Sequence, residues 1–237
     1  MAVRPAGHEV KKHFRLVKYY NWLIFSIVNP QLQFMVKKYA HGKMADIGCG
    51  GKPYKEMASD FVSEHIGIDH EDTIHGKTQI DLIGSAYKIP TDDETFDCIL
   101  CTYVLEHLEE PSTALAEAHR VLKKGGFAIY TVPFFWHLHE EPRDFYRFSK
   151  YGLKYLFEKN GFVVIELRAL SGFIVTFAQE AAYFLVRFRG SCKANPLWWV
   201  IPPLVVLIQA VAYLLNKIDR SESFTVEYII VARKNSH

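Results

Sequence analysis

From Lys43 onward the chain alternates short apolar runs with amphipathic stretches, the pattern of strands and helices taken in turn. Residues 43–47, 64–69, 79–82, 96–102 and 126–133 read as five strands, and 162–167 and 224–231 as two more. Between the fourth and fifth, Pro111-Ser112 opens a helix with Leu115, Ala118, Val121 and Leu122 on one face, closed by the pair Gly125-Gly126. Another helix covers 150–159 and stops at Asn160-Gly161. Strands alternating with helices predict a parallel sheet covered on both faces, an α/β doubly wound fold. Ahead of it, residues 10–39 mix aliphatic, aromatic and basic residues and predict one or two amphipathic helices broken near Asn29-Pro30.

The stretch between the last two strands departs from this pattern. Residues 169–186 and 196–215 are strongly apolar, and the second run carries no charge over about 20 residues, long enough for a membrane span. A single span is excluded if the last two strands are antiparallel neighbours, because it would put residues 224–231 across the bilayer from their own sheet. A two-helix hairpin would bury Glu180 mid-span and place Arg187, Arg189 and Lys193 outside, against the positive-inside tendency, and Pro202-Pro203 would break its second helix. A monotopic, re-entrant or interfacial element is the favoured reading, and a lid or dimer interface on a soluble enzyme the alternative.

Composition narrows the function classes. With 237 residues the chain suits one α/β domain, organised as an N-terminal helical segment (1–42) and a main domain (43–234) with an apolar insertion at 170–220. A net charge of +2 is weak for a nucleic-acid binder, and no nucleic-acid partner is expected. The four cysteines are Cys49, Cys98, Cys101 and Cys192. Cys98 and Cys101 lie three apart on a strand and point to opposite faces, so neither a disulfide nor a zinc site is expected, and the thiols read as reduced and cytoplasmic. The first residues carry Arg4, Lys11, Lys12 and Arg15 without an apolar run or small-residue cleavage site, which argues against a signal peptide.

The chemistry concentrates at Asp46-Ile47-Gly48-Cys49-Gly50-Gly51, directly after the first strand. Glycines there let the chain turn tightly and let a ligand approach the backbone. Asp69 closes the next strand about 20 residues on, where an acid binds ribose hydroxyls in nucleotide-binding α/β folds. The same elements occur at NAD sites, but Pro53 stands where the third glycine of that fingerprint would fall, and the charged Asp46 stands where an apolar residue is usual. A second concentration follows the fifth strand: His137, His139, Asp144, Arg143 and Arg147 among aromatics, at the carboxyl end of the sheet where open α/β folds bind ligands. His137, His139 and Asp144 are candidate general bases, and the arginines candidate anion clamps; the competing reading makes Asp144 and Arg147 a structural ion pair. No metal is assigned; His137, His139 and Glu141 are the one set weighed for it.

Asp46–Gly51, Ile66-Gly67-Ile68-Asp69, Ile89-Pro90 with Phe96-Asp97, Leu105-Glu106-His107, and Glu117 with Arg120 to Gly126 occur in that order. This series resembles the type 11 group of class I S-adenosylmethionine (SAM)-dependent methyltransferases over roughly residues 43–167. The resemblance implies a Rossmann-like seven-stranded sheet with an antiparallel last strand at 224–231, and SAM as cofactor. It implies that Asp46, Gly48 and Gly50 line the methionine end of SAM, that Asp69 binds the ribose, and that His70, Ser85 and Ala86 lie at the adenine. The group often has an Asp where this chain has Ser85, which makes Asp81 a substitute adenine contact. The expected activity is methyl transfer to a small-molecule or lipid acceptor, the cofactor positioned by the glycine loop and the acceptor by residues 133–148. The alternative is a non-catalytic SAM-binding or membrane-scaffold protein, with residues 170–220 the candidate contact to a membrane surface. Neither the acceptor nor the oligomeric state is legible.

Overall fold

A computed structural model describes residues 19–73, 77–190, 195–219 and 221–235. Residues 10–18, Cys192, Lys193 and the basic residues at the start of the chain lie outside these. The described residues form two compact units. One contains 30–73, 77–170 and 226–235, the other 19–29, 171–190, 195–219 and 221–225.

The larger unit is built on a seven-stranded sheet of order β3-β2-β1-β4-β5-β7-β6. Its strands are β1 (Lys43–Ile47), β2 (Glu64–Asp69), β3 (Leu82–Ile83), β4 (Phe96–Thr102), β5 (Leu122–Pro133), β6 (Phe162–Ala169) and β7 (Glu227–Lys234). β1 to β5 pair in parallel, whereas β7 runs antiparallel between β5 and β6. β1 and β4 are buried nearly end to end, as central strands with both faces covered must be, which is why they read as unbroken apolar runs. This is the doubly wound arrangement expected, with β7 as the antiparallel last strand in sequence.

Helices α1 (Trp22–Tyr39), α2 (Lys55–Ala58), α3 (Pro111–Val121) and α4 (Lys150–Lys159) surround or lead into the sheet. α3 starts with Pro111 in its first turn and buries Ala114, Leu115, Ala118 and Val121 at helical spacing. Ser149 caps α4 by accepting the Gly152 amide at 3.3 Å. Several boundaries differ from expectation: β3 is Leu82–Ile83 rather than 79–82, and β7 is Glu227–Lys234 rather than 224–231, with Glu222–Phe224 in a 3₁₀ turn ahead of it. α3 ends at Val121 and β5 begins at Leu122, so Gly125-Gly126 lies inside the strand rather than at a helix cap. A Cβ on Gly126 would stand 2.7 Å from the Asp97 carbonyl oxygen, where the β4–β5 register shifts, so this glycine serves a close backbone approach. Pro30 does not break α1, which runs through it; the proline costs one backbone bond, while Leu32, Met35 and Val36 are fully buried beyond it. The unit boundary falls at this proline.

In the smaller unit, the start of α1 meets α5 (Phe173–Val186) and α6 (Leu197–Leu215) through Leu23, Ile27, Val175 and Ala212. Two fully buried glutamines tie the set together. Gln209 accepts the Leu23 amide at 3.2 Å and donates to the Tyr19 carbonyl at 3.0 Å, and Gln179 donates to the Tyr20 carbonyl at 2.7 Å. They satisfy backbone groups where α1 begins, which that helix cannot pair internally. α6 is the one helix among the described residues long and apolar enough to cross a membrane. Its buried positions are Ile201, Val205, Gln209 and Ala212. The opposite face carries Val200, Leu204, Leu207, Val211 and Leu214, all of them exposed, with exposed Ile218 just past the helix end.

Candidate active site

The glycine loop takes its shape from the end of β1. Gly48 and Gly50 have φ of +71° and +47°, the left-handed region that glycine enters freely. A Cβ on Gly48 would lie 2.2 Å from Val104 Cγ2. The Gly48 amide donates to the Ile68 carbonyl at 2.8 Å, which locks the loop to the end of β2. Asp69, buried at that end, accepts the Gly50 amide on Oδ2 and the His70 amide on Oδ1, both at 2.8 Å. Asp46 is buried on β1, and its Oδ2 meets His65 Nε2 at 2.8 Å. The resemblance therefore names Asp46, Gly48, Gly50 and Asp69 as one cradle, and the structure brings these four together.

The residues named for the adenine are less convergent. The His70 side chain is about half exposed. Ser85 and Lys88 close a tight turn, with Ala86 packed against the core between them. Asp81 commits Oδ2 to the Gly67 amide at 2.7 Å and to Lys52 Nζ, and these partners hold its carboxyl below the usual range against the pull of burial. It thus ties the loop residue Lys52 to β2. Lys52 and His65, both partners of this cradle, carry no sequence signal of their own.

A second group gathers beyond β4 and at the start of β7. Tyr103 has φ +55°, a left-handed conformation uncommon for a non-glycine residue, and its hydroxyl donates to the Glu227 carboxyl. Glu106 is fully buried in the 3₁₀ turn Leu105–His107, and burial pushes its carboxyl up to about 8. Burial does the same to Glu227, also to about 8. The Glu227 charge adds to the rise at Glu106. Glu227 was missed in sequence; its signal was one acid opening an otherwise apolar strand run.

Glu227 predicts a pH dependence. Its folded pKa is raised from 4.5 to about 8, so the folded state holds a proton that the unfolded chain has released. This contribution is complete below pH 4.5 and is lost as pH rises through about 8. Glu227→Gln keeps an acceptor for Tyr103 and has no charge to bury. Its stability relative to wild type should rise across that window, by on the order of a few kcal/mol at the alkaline end. Urea unfolding at pH 6 and pH 9 measures this; parallel pH dependence in the two proteins would rule out a buried neutral acid at this position.

The loop after β5 is organised by Arg147. Its guanidinium pairs with both oxygens of Asp144 at 2.6 and 2.7 Å and donates to the carbonyls of Trp136, His137 and Tyr146 at 3.1, 2.8 and 2.8 Å. The Asp144 side chain is 1% exposed and also accepts the His139 amide at 3.0 Å. Hydrogen bonds from Arg147 and the His139 amide outweigh burial and hold its carboxyl down to about 2. Such a carboxylate is a poor proton acceptor at neutral pH, and the geometry is that of the competing reading, an ion pair with Arg147 whose carboxylate also holds the His139 amide. Burial lowers the His139 pKa below its usual value and keeps the ring neutral. Its ring lies 4.7 Å from that of His107, centroid to centroid, while His137 stacks on Trp136. The structure thus brings His139 and Asp144 together with His107 and Glu106.

The family profile described as a methyltransferase domain matches residues 45–130. An uncharacterised methyltransferase of Schizosaccharomyces pombe is 49% identical over 104 residues, 36% of this chain and 37% of that protein. A ubiquinone biosynthesis O-methyltransferase of Pseudomonas syringae is 28% identical over 125 residues, 48% of this chain and 51% of that protein. The chain thus spans about half or less of these curated relatives. A SAM-dependent methyltransferase from Thermotoga maritima, titled a possible histamine N-methyltransferase, shares the fold with a TM-score of 0.58 at 20% identity, covering 95% of this chain and 96% of that one. The residues present suit SAM: the space a Cβ would fill at Gly48, two left-handed glycines, and a buried acid already bonded to the loop amide. The matched stretch begins at the strand before that loop and ends within β5, so the cradle and the family signal coincide: residues 45–130 carry a methyltransferase domain, similar to those of class I SAM-dependent enzymes.

Proposed function

We propose that this chain transfers a methyl group from SAM to an oxygen or nitrogen nucleophile of a lipid-like acceptor, such as an isoprenoid or a lipid-linked molecule, at a membrane surface. SAM supplies a methyl group on a sulfonium, which leaves as a neutral thioether. The work left to the chain is positioning and, for a protonated acceptor, drawing the proton away. Asp46, Gly48, Gly50 and Asp69 would hold the cofactor. The His107–His139 pair beside Glu106 supplies the groups that act on the acceptor's proton, and Arg147 with Asp144 keeps that loop in register.

The observation that carries the membrane reading is the outward face of α6. Val200, Leu204, Leu207, Val211 and Leu214 repeat at helical spacing and are 40–65% exposed, and the helix carries no charge. Trp199, Phe184 and Phe188 extend the apolar surface, and the exposed cations Arg187 and Lys217 follow the C-termini of α5 and α6. Exposed aliphatics, aromatics and flanking cations are the composition of an interfacial element. α5, at 14 residues, is too short to span a bilayer, which favours in-plane docking over a hairpin. One relative acts in ubiquinone biosynthesis by its name, which supports an acceptor of isoprenoid type.

Flotation with liposomes containing anionic phospholipid tests this. Wild-type protein should float, and the double variant Leu207→Glu/Leu214→Glu should lose at least about tenfold in partitioning, because each leucine contributes roughly 1.5–3 kcal/mol when buried. Both positions are exposed, so the variant keeps its core. Wild-type protein that stays wholly in the soluble fraction would end the membrane reading and the lipid acceptor with it.

A further inference from the structure

We propose that Glu106, His107 and His139 form a binding site for a divalent first-row transition ion, zinc in the first instance. The inference deepens the reading above by assigning the His107–His139 pair the role of metal ligands rather than bases, and it rests on that reading only for the ion's use in catalysis. One ligand atom from each residue lies within 4.8 Å of the other two. Glu106 Oε1 and His107 Nε2 are 3.9 Å apart, so a movement of about an ångström brings them to the spacing of ligands on one ion.

Three features point to a cation. Glu106 is fully buried, and among the described residues neither carboxyl oxygen has a hydrogen-bond partner in another residue, an arrangement that burial makes costly for the ionised form unless something positive arrives. His107 Nδ1 faces the Arg143 carbonyl at 2.5 Å, which fixes the proton there and turns the Nε2 lone pair toward Glu106. His139 Nδ1 lies 3.3 Å from both the His137 carbonyl and Asp144 Oδ2 and 3.4 Å from Arg147 Nη2, so the loop occupies Nδ1 and Nε2 is the ring nitrogen left for a ligand. A carboxylate behind a ligating histidine is the usual outer shell of a metal site, and it explains why Asp144 is held so firmly by Arg147.

Two imidazoles and one carboxylate suit zinc, cobalt or iron rather than calcium or magnesium. Three protein ligands leave a coordination position open, where an acceptor oxygen can bind and become more acidic. The site differs from the trio weighed in sequence: it keeps His139 but replaces His137 and Glu141 with His107 and Glu106. Glu141 is exposed, whereas Glu106 is brought beside the loop when the Phe145 and Tyr146 amides donate to its carbonyl at 2.9 and 3.2 Å.

The test is calorimetric titration of zinc chloride into chelator-treated full-length protein, without SAM or acceptor. Wild type should bind one zinc at this site; Glu106→Gln, His107→Ala and His139→Ala should each weaken it by at least about tenfold, while His137→Ala leaves it unchanged. SAM affinity, measured in parallel, reports folding and separates loss of the ion site from failure of the cofactor assignment. Should the variants not fold, cobalt substitution of wild type decides: visible d–d bands of imidazole ligation support the site, and the spectrum of the hydrated ion overturns it. Absence of zinc uptake by wild type, or uptake indifferent to all three ligand variants, overturns it as well.

Discussion

Gly48→Val should reduce SAM affinity by at least about a hundredfold, roughly 2.8 kcal/mol. Two costs combine. The Cβ enters the space of Val104, whose Cγ2 would be 2.2 Å away, and the branched side chain has little rotamer freedom with which to evade it. The backbone at φ +71° also imposes roughly 1–2 kcal/mol on any residue with a Cβ. Calorimetry measures the loss and circular dichroism checks the fold. The double change Gly48→Ala/Val104→Ala separates the causes: relieving the clash should restore part of the affinity, while the backbone cost persists. A folded Gly48→Val protein with wild-type SAM affinity would show that the loop is not the cofactor site.

What sequence revealed and what it concealed follow from the range of the interactions. The cradle was legible because β1, its glycine turn and Asp69 are joined by adjacent parallel pairing, and each carries a local requirement: glycine where φ is positive, an acid at a strand end. β3 was nearly invisible because only Leu82 and Ile83 pair, with Ile68 and Asp69. Gly125-Gly126 looked like a helix cap because glycine signals both left-handed turns and close backbone contacts; the contact with Asp97 that decides between them is formed across the sheet. Glu227 was silent for a similar reason. It meets Tyr103 only because β7 inserts between β5 and β6, placing Glu227 opposite Pro133. The loop residues His137, His139, Asp144 and Arg147 were recognisable as chemistry, but their division of labour was not, since Asp144 is a base or a strut depending on whether Arg147 reaches it. The pairing of 19–29 with 171–225 was also hidden, because it depends on Gln179 and Gln209 meeting backbone groups near the start of α1.

Arg147→Ala should destabilise the larger unit by about 3–5 kcal/mol and lower methyl transfer by on the order of a hundredfold, with SAM affinity held within about twofold. The guanidinium satisfies both oxygens of a carboxylate that is 1% exposed and three backbone carbonyls of the loop. Removing it leaves the Asp144 charge buried without a partner, which is far more costly than never having had the pair. Arg147→Lys keeps the charge but offers three donors where the fork offers five, so it should recover only part of the stability. SAM affinity should hold because neither Arg147 nor Asp144 bonds to the residues of the glycine cradle. The informative variant is Asp144→Leu/Arg147→Met. Replacing both charges with apolar groups of similar size should return most of the stability, since a buried pair contributes little over a hydrophobic substitute. It should not return turnover, because the His139 amide and ring then lose the carboxylate that orients them. Urea unfolding and initial rates on the three variants and wild type form the test. If the apolar pair restores turnover along with stability, the ion pair serves folding alone and His139 needs no orienting partner.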